Sequence, residues 1–259
     1  MVKLIKEAND LLTLWRSFGP GDQAIDLKAV FQELILPKAN GDVCVMVEDH
    51  FDSFEGLMAY DETNKRWCIG VDSRISPKPR KNFTLAHEIG HFIGHRHLGR
   101  TFQCTFDDMN DFQSNQLEKE ANEFAAHLLM PPDSMRKLTL GRVFDQETVE
   151  ELSELFGVSK AAFAYRWVDL ATRPIGFVIS RDGMFVSGRA SDRLYGSGTF
   201  FRSGDEVPVG ANVHALSSPS KELKGRVAPG VWNEHRDCVE SSYATSRGGY
   251  VYTYLDFVA

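Results

Sequence analysis

The sequence has no C-x-x-C pair among its four cysteines, which lie at positions 44, 68, 104 and 238. This pattern excludes a disulfide-dense secreted scaffold and a cysteine zinc ribbon, and it suits a reducing cytosol. No apolar run approaches the roughly 18 residues that cross a bilayer, so we expect a cytoplasmic protein that does not use the membrane. Basic residues are also in deficit. The 29 Lys and Arg face 36 Asp and Glu, and this net charge of −7 disfavours a protein that coats nucleic acid.

The chain of 259 residues has the composition of a folded protein, with 42% hydrophobic and 25% charged residues. The patterning predicts three domains within an α+β fold. Residues 1–132 combine helical and β-rich segments, and residues 133–173 look helical throughout. From residue 174 to 259, Gly, Ser and β-branched residues predict a mostly-β module, for which sensing or docking is a conceivable role.

Short β-rich runs predict a small antiparallel meander in the first part of the chain, at 43–47, 56–60 and 67–71. Pro77 and Pro79 end this meander. Asn82 is placed to cap a following helix over about 83–95. A second amphipathic helix is predicted over about 115–130.

The first of these helices contains the pattern His-Glu-x-x-His, formed by His87, Glu88 and His91. Because residues four apart share one face of a helix, both imidazoles can reach one metal ion. Glu88 lies at the flank of that face, where a carboxylate can assist a water molecule without binding the metal. Chance produces the five-residue pattern in roughly one chain in fifty to a hundred, so the motif needs support from a further ligand.

Three residues compete for the third ligand position. His97 would complete a longer histidine pattern, with Gly94 breaking the helix between. On a helical wheel of the second helix, Glu118 borders the buried stripe, whereas Glu120 lies about 200° away on the solvated side. A carboxylate at a core-facing edge is costly unless it is paired or metal-bound. Glu118 is therefore favoured as the ligand for Zn²⁺, and Glu120 and His97 remain alternatives.

Other polar residues near these motifs have weaker signals. Asn122, one turn after Glu118, could accept a hydrogen bond from the far nitrogen of a ligating histidine. His95 follows His91 by one turn, but a solvent-exposed or core role is favoured for it. Tyr165 and Arg166 are candidates for stabilising an oxyanion, although packing and surface roles are favoured for both.

Residues 148–170 have the outline of a helix-turn-helix, with Gly157 at the turn. A DNA reader needs a basic recognition helix, yet residues 147–173 carry three basic and five acidic side chains. The second helix is bulky and apolar. We therefore interpret this segment as a way of packing two helices, and we expect no direct contact with DNA.

The segment from Phe83 to Phe92, Phe-Thr-Leu-Ala-His-Glu-Ile-Gly-His-Phe, resembles the ImmA/IrrE family of metallo-endopeptidases. So does segment 118–131, Glu-x-Glu-Ala-Asn-x-Phe-Ala-Ala-x-Leu-Leu-Met-Pro. The meander and the helices up to about residue 172 extend the resemblance to about two-thirds of the chain. It implies a zincin-like peptidase domain with His87, His91 and Glu118 as metal ligands and Glu88 as the catalytic residue, and it disfavours His97.

The resemblance also implies an activity and a substrate. The activity would be zinc-dependent endopeptidase cleavage, with Mn²⁺ as a substitute metal in vitro. The substrate would be a helix-turn-helix repressor encoded nearby, whose cleavage derepresses stress or mobile-element genes. An extended peptide would pair with an edge strand, for which 56–60 is the candidate. The alternative function is a DNA-binding transcriptional regulator with a vestigial peptidase domain.

Overall fold

The computed structural model describes residues 2–19, 24–39, 41–105, 116–216, 222–245 and 248–257. The chain divides into two compact units, of which the first comprises 1–131 and 155–159 and the second 132–154 and 160–259. Helices and two sheets confirm the predicted α+β fold. Within the described ranges, no helix has both the length and the apolar character needed to span a membrane.

The first unit combines helices with a four-stranded sheet. Its elements are α1 (Val2–Phe18), α2 (Leu27–Val30, continued by a π-helical turn Phe31–Ile35 and a 3-10 turn Leu36–Lys38), β1 (Cys44–Asp49), β2 (Gly56–Asp61), β3 (Arg66–Asp72), α3 (Lys78–Gly94), β4 (Thr101–Cys104) and α4 (Gln116–Leu129).

The strand order of this sheet is β1-β3-β2-β4. The expectation of a meander is wrong, because β1 pairs with β3 in parallel, and only β2 pairs antiparallel with its neighbours β3 and β4. Periodicity identifies strands but not their partners, and β4 lies in a stretch too polar to predict a strand. The expected edge strand at 56–60 is therefore interior. The outermost described strand on that side is β4.

Helix α3 begins at Lys78, so the expected start at 83 with Asn82 as the cap is wrong. Pro77 precedes the helix and Pro79 lies in its first turn, where the missing backbone N–H costs nothing because the first-turn donors have no helical acceptor. The side chain of Asn82 instead donates a hydrogen bond to the Gly157 carbonyl at 3.0 Å.

Packing around α3 fixes the position of its histidines. The helix contacts β2 and β3 of the sheet and also α4, and the Phe92 ring meets the rings of Phe31 and Trp67 edge-on. At Gly90 an added Cβ would lie 3.3 Å from the Cα of Ala121, tighter than most such contacts. The absence of a side chain at Gly90 therefore lets α3 and α4 approach closely.

The second unit contains a five-stranded antiparallel sheet with the order β6-β5-β9-β8-β7. The predicted hairpin turn at Asp182-Gly183 is confirmed, and both residues have positive φ angles, 52° and 78°. Its elements are α5 (Pro132–Thr139), α6 (Gln146–Phe156, whose last two residues fall in the first unit), α7 (Lys160–Leu170), β5 (Ile175–Arg181), β6 (Met184–Ala190), α8 (Asp192–Tyr195), a 3-10 turn (Asn212–Ala215), β7 (Glu222–Val227), β8 (Cys238–Ala244) and β9 (Tyr250–Asp256).

Candidate metal centre

Three side chains from α3 and α4 meet at one point in the first unit. The Nε2 atoms of His87 and His91 lie 3.0 Å apart. Oε2 of Glu118 lies 3.1 Å from Nε2 of His87 and 3.3 Å from Nε2 of His91. Both histidines are fully buried, and the Glu118 side chain is 12% exposed. The structure thus brings together the three residues that the sequence favours as metal ligands.

A fourth donor comes from β4. Sγ of Cys104 lies 3.6 Å from Nε2 of His91 and 3.8 Å from Oε2 of Glu118. One ligand atom from each of His87, His91, Cys104 and Glu118 falls within 4.8 Å of the other three. We call these four residues the donor cluster.

Five of the six atom pairs in the donor cluster have separations that fit a tetrahedral zinc ion, and the sixth pair, His87 with Cys104, lies within 4.8 Å. With Zn–N and Zn–O bonds of about 2.0–2.1 Å and Zn–S of about 2.3 Å, two nitrogen or oxygen ligands lie about 3.3 Å apart, and sulfur lies about 3.6 Å from either. The observed separations of 3.0–3.3 Å and of 3.6–3.8 Å match both lengths. The mixture of imidazole, carboxylate and thiol also suits zinc.

Hydrogen bonds orient the two histidines. Nδ1 of His87 donates to Oδ1 of Asn122 at 2.9 Å, which leaves a lone pair on Nε2 facing the donor cluster. Nδ1 of His91 lies 2.9 Å from Nδ1 of the buried His95. Each histidine of the donor cluster therefore has a polar partner on its far nitrogen, as metal-bound histidines usually do.

The charges in the donor cluster also suit a cation. Burial lowers the pKa of His91 to about 4, so its ring is neutral near pH 7. Burial opposes ionisation of Glu118, but its contacts with His87 and His91 outweigh burial and hold the pKa of Glu118 below its usual range. A neutral imidazole and an ionised carboxylate are the forms that bind metals.

Glu88 lies beside the donor cluster and is not part of it. It is fully buried, and neither carboxylate oxygen makes a hydrogen bond of standard geometry in the described part of the chain. Burial raises the pKa of Glu88 to about 7, which the neighbouring His87 and Cys104 offset only in part. A carboxyl group with a pKa near neutrality can both accept and donate a proton, as acid–base catalysis requires.

The two alternative ligands lie outside the donor cluster. Oε2 of Glu120 is 3.4 Å from Nε2 of His95, and its side chain is only 19% exposed. Glu120 is therefore not the solvent-facing charge that the helical wheel indicates, because His95 covers it. His97 lies after α3 and lines a surface pocket with Tyr60 and Arg100.

Tyr165 and Arg166 are neighbours on α7 in the second unit. The Tyr165 hydroxyl lies 2.5 Å from Oγ of Ser187, and its ring packs edge-on against Phe177. These contacts describe a packing role for Tyr165. A role for either residue in stabilising an oxyanion stays a prediction.

Sequence reasoning did not identify Cys104 or Gly56. Cys104 lies opposite Gly56 in the pairing of β4 with β2, and a Cβ at Gly56 would overlap Oε1 of Glu88. Both relationships depend on a strand pairing between distant segments, for which the sequence has no local signal. The alternation of inward Phe102 and Cys104 with exposed Thr101 and Gln103 is the only hint, and it spans four residues.

Comparisons with known proteins agree with this site. No curated protein matches the chain at a significant level. A solved structure described as a "Mycobacterium tuberculosis transcriptional regulator" is similar, with a TM-score of 0.57 and 16% identity over 99% of this chain and 76% of the other. That likeness concerns the fold. The family model Peptidase_M78, described as the IrrE N-terminal-like domain, matches residues 45–168. This match covers just under half of the chain, includes both sequence blocks and confirms the resemblance that they carry.

Proposed function

We propose that this protein is a zinc-dependent endopeptidase that cleaves a helix-turn-helix repressor in the cytoplasm. The observation that carries the proposal is the meeting of His87, His91 and Glu118 beside the buried carboxyl group of Glu88. Histidine, histidine and glutamate are a common ligand set of zinc peptidases. The match of residues 45–168 to the M78 peptidase family model supports a metallopeptidase domain.

Zinc bound there would polarise the scissile carbonyl and make water a stronger nucleophile near pH 7. The residues of the chain do the rest. His87 and His91, oriented by Asn122 and His95, would hold the ion between α3 and α4. Glu88 would take a proton from the attacking water on a carboxylate oxygen and pass it to the leaving amine.

The substrate peptide has a backbone edge to pair with. β4 is the outermost described strand beside the donor cluster, and its Thr101 and Gln103 side chains are exposed. An extended peptide that adds to this edge would run past the metal site. The negative charge of the whole chain is compatible with a basic, DNA-binding substrate.

The test is incubation of the zinc-loaded chain with a helix-turn-helix protein encoded next to its gene, followed by mass measurement of the fragments. We expect one defined cleavage, and we expect Glu88→Gln to retain stoichiometric zinc while losing cleavage. Undiminished cleavage by Glu88→Gln would reject its role. Binding without new peptide ends would instead indicate a scaffold that holds the repressor.

The alternative, a DNA-binding regulator with a vestigial peptidase domain, is supported only by the name of the structural neighbour and the outline of α6 and α7. Phe163 and Trp167 of α7 are buried, so these side chains pack inside the protein and are not available to contact DNA. A gel shift on neighbouring operator DNA distinguishes the two functions. Only the regulator is expected to bind this DNA in a salt-dependent way, and its binding should persist when Glu88 is replaced.

A further inference from the structure

Cys104 occupies the position that a catalytic zinc site normally leaves free. A structural zinc has four protein ligands, whereas a catalytic zinc has three and keeps the fourth position for water or substrate. With Cys104 the donor cluster has four. Yet the carboxyl group of Glu88 is fully buried beside the cluster, and a purely structural zinc site does not require such a group.

We infer that Cys104 is a displaceable fourth ligand, whose sulfur closes the metal site until the thiol is withdrawn. The inference rests on the proposed function, because that proposal supplies both the metal ion and the cleavage reaction that Cys104 would block. When the sulfur becomes a ligand, the thiol releases its proton to solvent. When the sulfur leaves, it takes up a proton again, and no oxidant or reductant is needed.

Three of the four donors lie on long helices, whereas Cys104 lies on a short strand. His87 and His91 lie on one long helix, and each has a polar partner on its far nitrogen. Glu118 lies on α4, which packs against that helix. Cys104 ends a four-residue strand that, among the described strands, pairs only with β2.

β4 enters the site as an extended peptide would. Its side chains alternate, so that Phe102 and Cys104 face inward while Thr101 and Gln103 face outward. The Phe102 ring stacks on the His91 ring with centroids 4.9 Å apart. Two successive inward side chains thus cover one histidine ligand and fill the fourth ligand position. This arrangement is that of an internal inhibitor.

Cobalt-substituted full-length protein provides a readout that does not depend on cleavage. Thiolate bound to Co²⁺ gives a sulfur-to-metal charge-transfer band in the near ultraviolet. We expect the band in the native protein and in the control Cys68→Ala, which removes a half-buried free thiol on β3. We expect it to be absent in Cys104→Ala. A native protein without the band overturns the inference.

Closure of the site is tested with acetohydroxamate, a small chelator that needs free coordination positions. We expect Cys104→Ala to bind it at least about tenfold more tightly than the native protein and Cys68→Ala do. Equal affinities would mean that Cys104 does not restrict the site, and they would overturn the inference. If both expectations hold but no variant cleaves a repressor, the proposed function fails and the inference about Cys104 stands.

A second measurement covers the case in which Cys104→Ala does not load cobalt. Iodoacetamide alkylation of the native protein, followed by peptide mass measurement, compares metal-loaded and metal-free samples. We expect metal to slow alkylation of Cys104 at least about tenfold and to leave Cys68 unchanged. Equal rates at Cys104 in the two samples overturn the inference.

Discussion

Gly56 of β2 lies directly against the carboxyl group of Glu88 on α3. A Cβ at position 56 would overlap Oε1 of Glu88 and would lie 2.8 Å from its Cδ. Glu88 is fully buried and cannot move aside without disturbing its surroundings. We expect Glu88 to transfer the proton. Its carboxyl group can occupy this position only because Gly56 on the neighbouring strand has no side chain.

Replacing Gly56 tests this relationship. We expect Gly56→Ala to displace the Glu88 carboxyl group and to lower kcat/KM for repressor cleavage by about 100-fold, as small misplacements of catalytic groups do. Zinc content should stay at one per chain, because Gly56 contributes no ligand. Metal analysis and cleavage kinetics measure both effects.

The control for this change is Gly99→Ala, whose added Cβ would meet only ordinary contacts of 3.4 Å with Phe102. We expect nearly native kinetics for this variant. Equal activities of the two variants would show that Glu88 tolerates a methyl group at position 56.

The assignment of the third ligand predicts the metal content of three variants. We expect Glu118→Ala to lose stoichiometric zinc, because its carboxylate lies within 3.3 Å of both histidine nitrogens. Glu120→Ala and His97→Ala should retain zinc, since neither residue lies in the donor cluster. Elemental analysis after gel filtration measures the content. Loss of zinc from His97→Ala alone would indicate a different class of zincin.

The sequence carries the parts of this site that depend on local spacing. One helical turn separates His87 from His91, and the spacing of apolar residues around Glu118 places that carboxylate toward the core. The structure brings these three residues together. The hairpin at Asp182-Gly183 was also predictable, because two positive φ angles in succession favour that residue pair.

The parts that escape prediction depend on pairings between distant segments. Cys104 reaches the donor cluster only because β4 pairs with β2, and the parallel pairing of β1 with β3 requires a crossover that periodicity does not encode. Glu120 appears solvent-facing on a helical wheel, but a wheel contains no neighbouring helix. His95, on α3's C-terminal end, covers it.

Asn122 is expected to strengthen zinc binding without touching the ion. Its Oδ1 holds the Nδ1–H of His87 and so directs the lone pair of Nε2 toward the metal. We expect Asn122→Ala to bind zinc about 10–100-fold more weakly, the usual cost of losing such a partner. Competition with a chelator measures the affinity. The matched control is Glu123→Ala at the exposed neighbouring position, and an affinity of Asn122→Ala equal to that of the control would contradict the role.

The outer edge of β4 predicts how a peptide substrate docks. The Tyr60 N–H donates to the Arg100 carbonyl next to the Ala59–Thr101 pair, and this pattern turns the N–H of Gln103 away from β2. Gln103→Pro removes that outward donor and leaves the pairing with β2 in place. We expect a raised KM for repressor cleavage with unchanged zinc content, whereas Gln103→Ala should retain the native KM. A native KM for Gln103→Pro would indicate that the substrate does not pair at this edge.

The second unit contains an ion pair that makes its stability depend on pH. Burial alone would raise the pKa of Asp145, but the Lys224 ammonium at 2.5 Å and the Thr148 N–H at 3.0 Å outweigh burial and lower it. A carboxyl group whose pKa is lowered by folding stabilises the folded state at pH values above its unfolded pKa of about 3.9. This contribution is lost as the pH falls through the pKa of the folded state.

We expect Asp145→Ala to lower the free energy of unfolding by about 2 kcal/mol at pH 7, from the lost helix cap and the lost ion pair. The difference from the native chain should shrink as the pH falls below about 4. Urea denaturation of the full chain across this pH range measures it, with Glu154→Ala at an exposed position of α6 as the control. A destabilisation of Asp145→Ala that is the same at pH 7 and in acid would show that the carboxylate acts through packing and not through its charge.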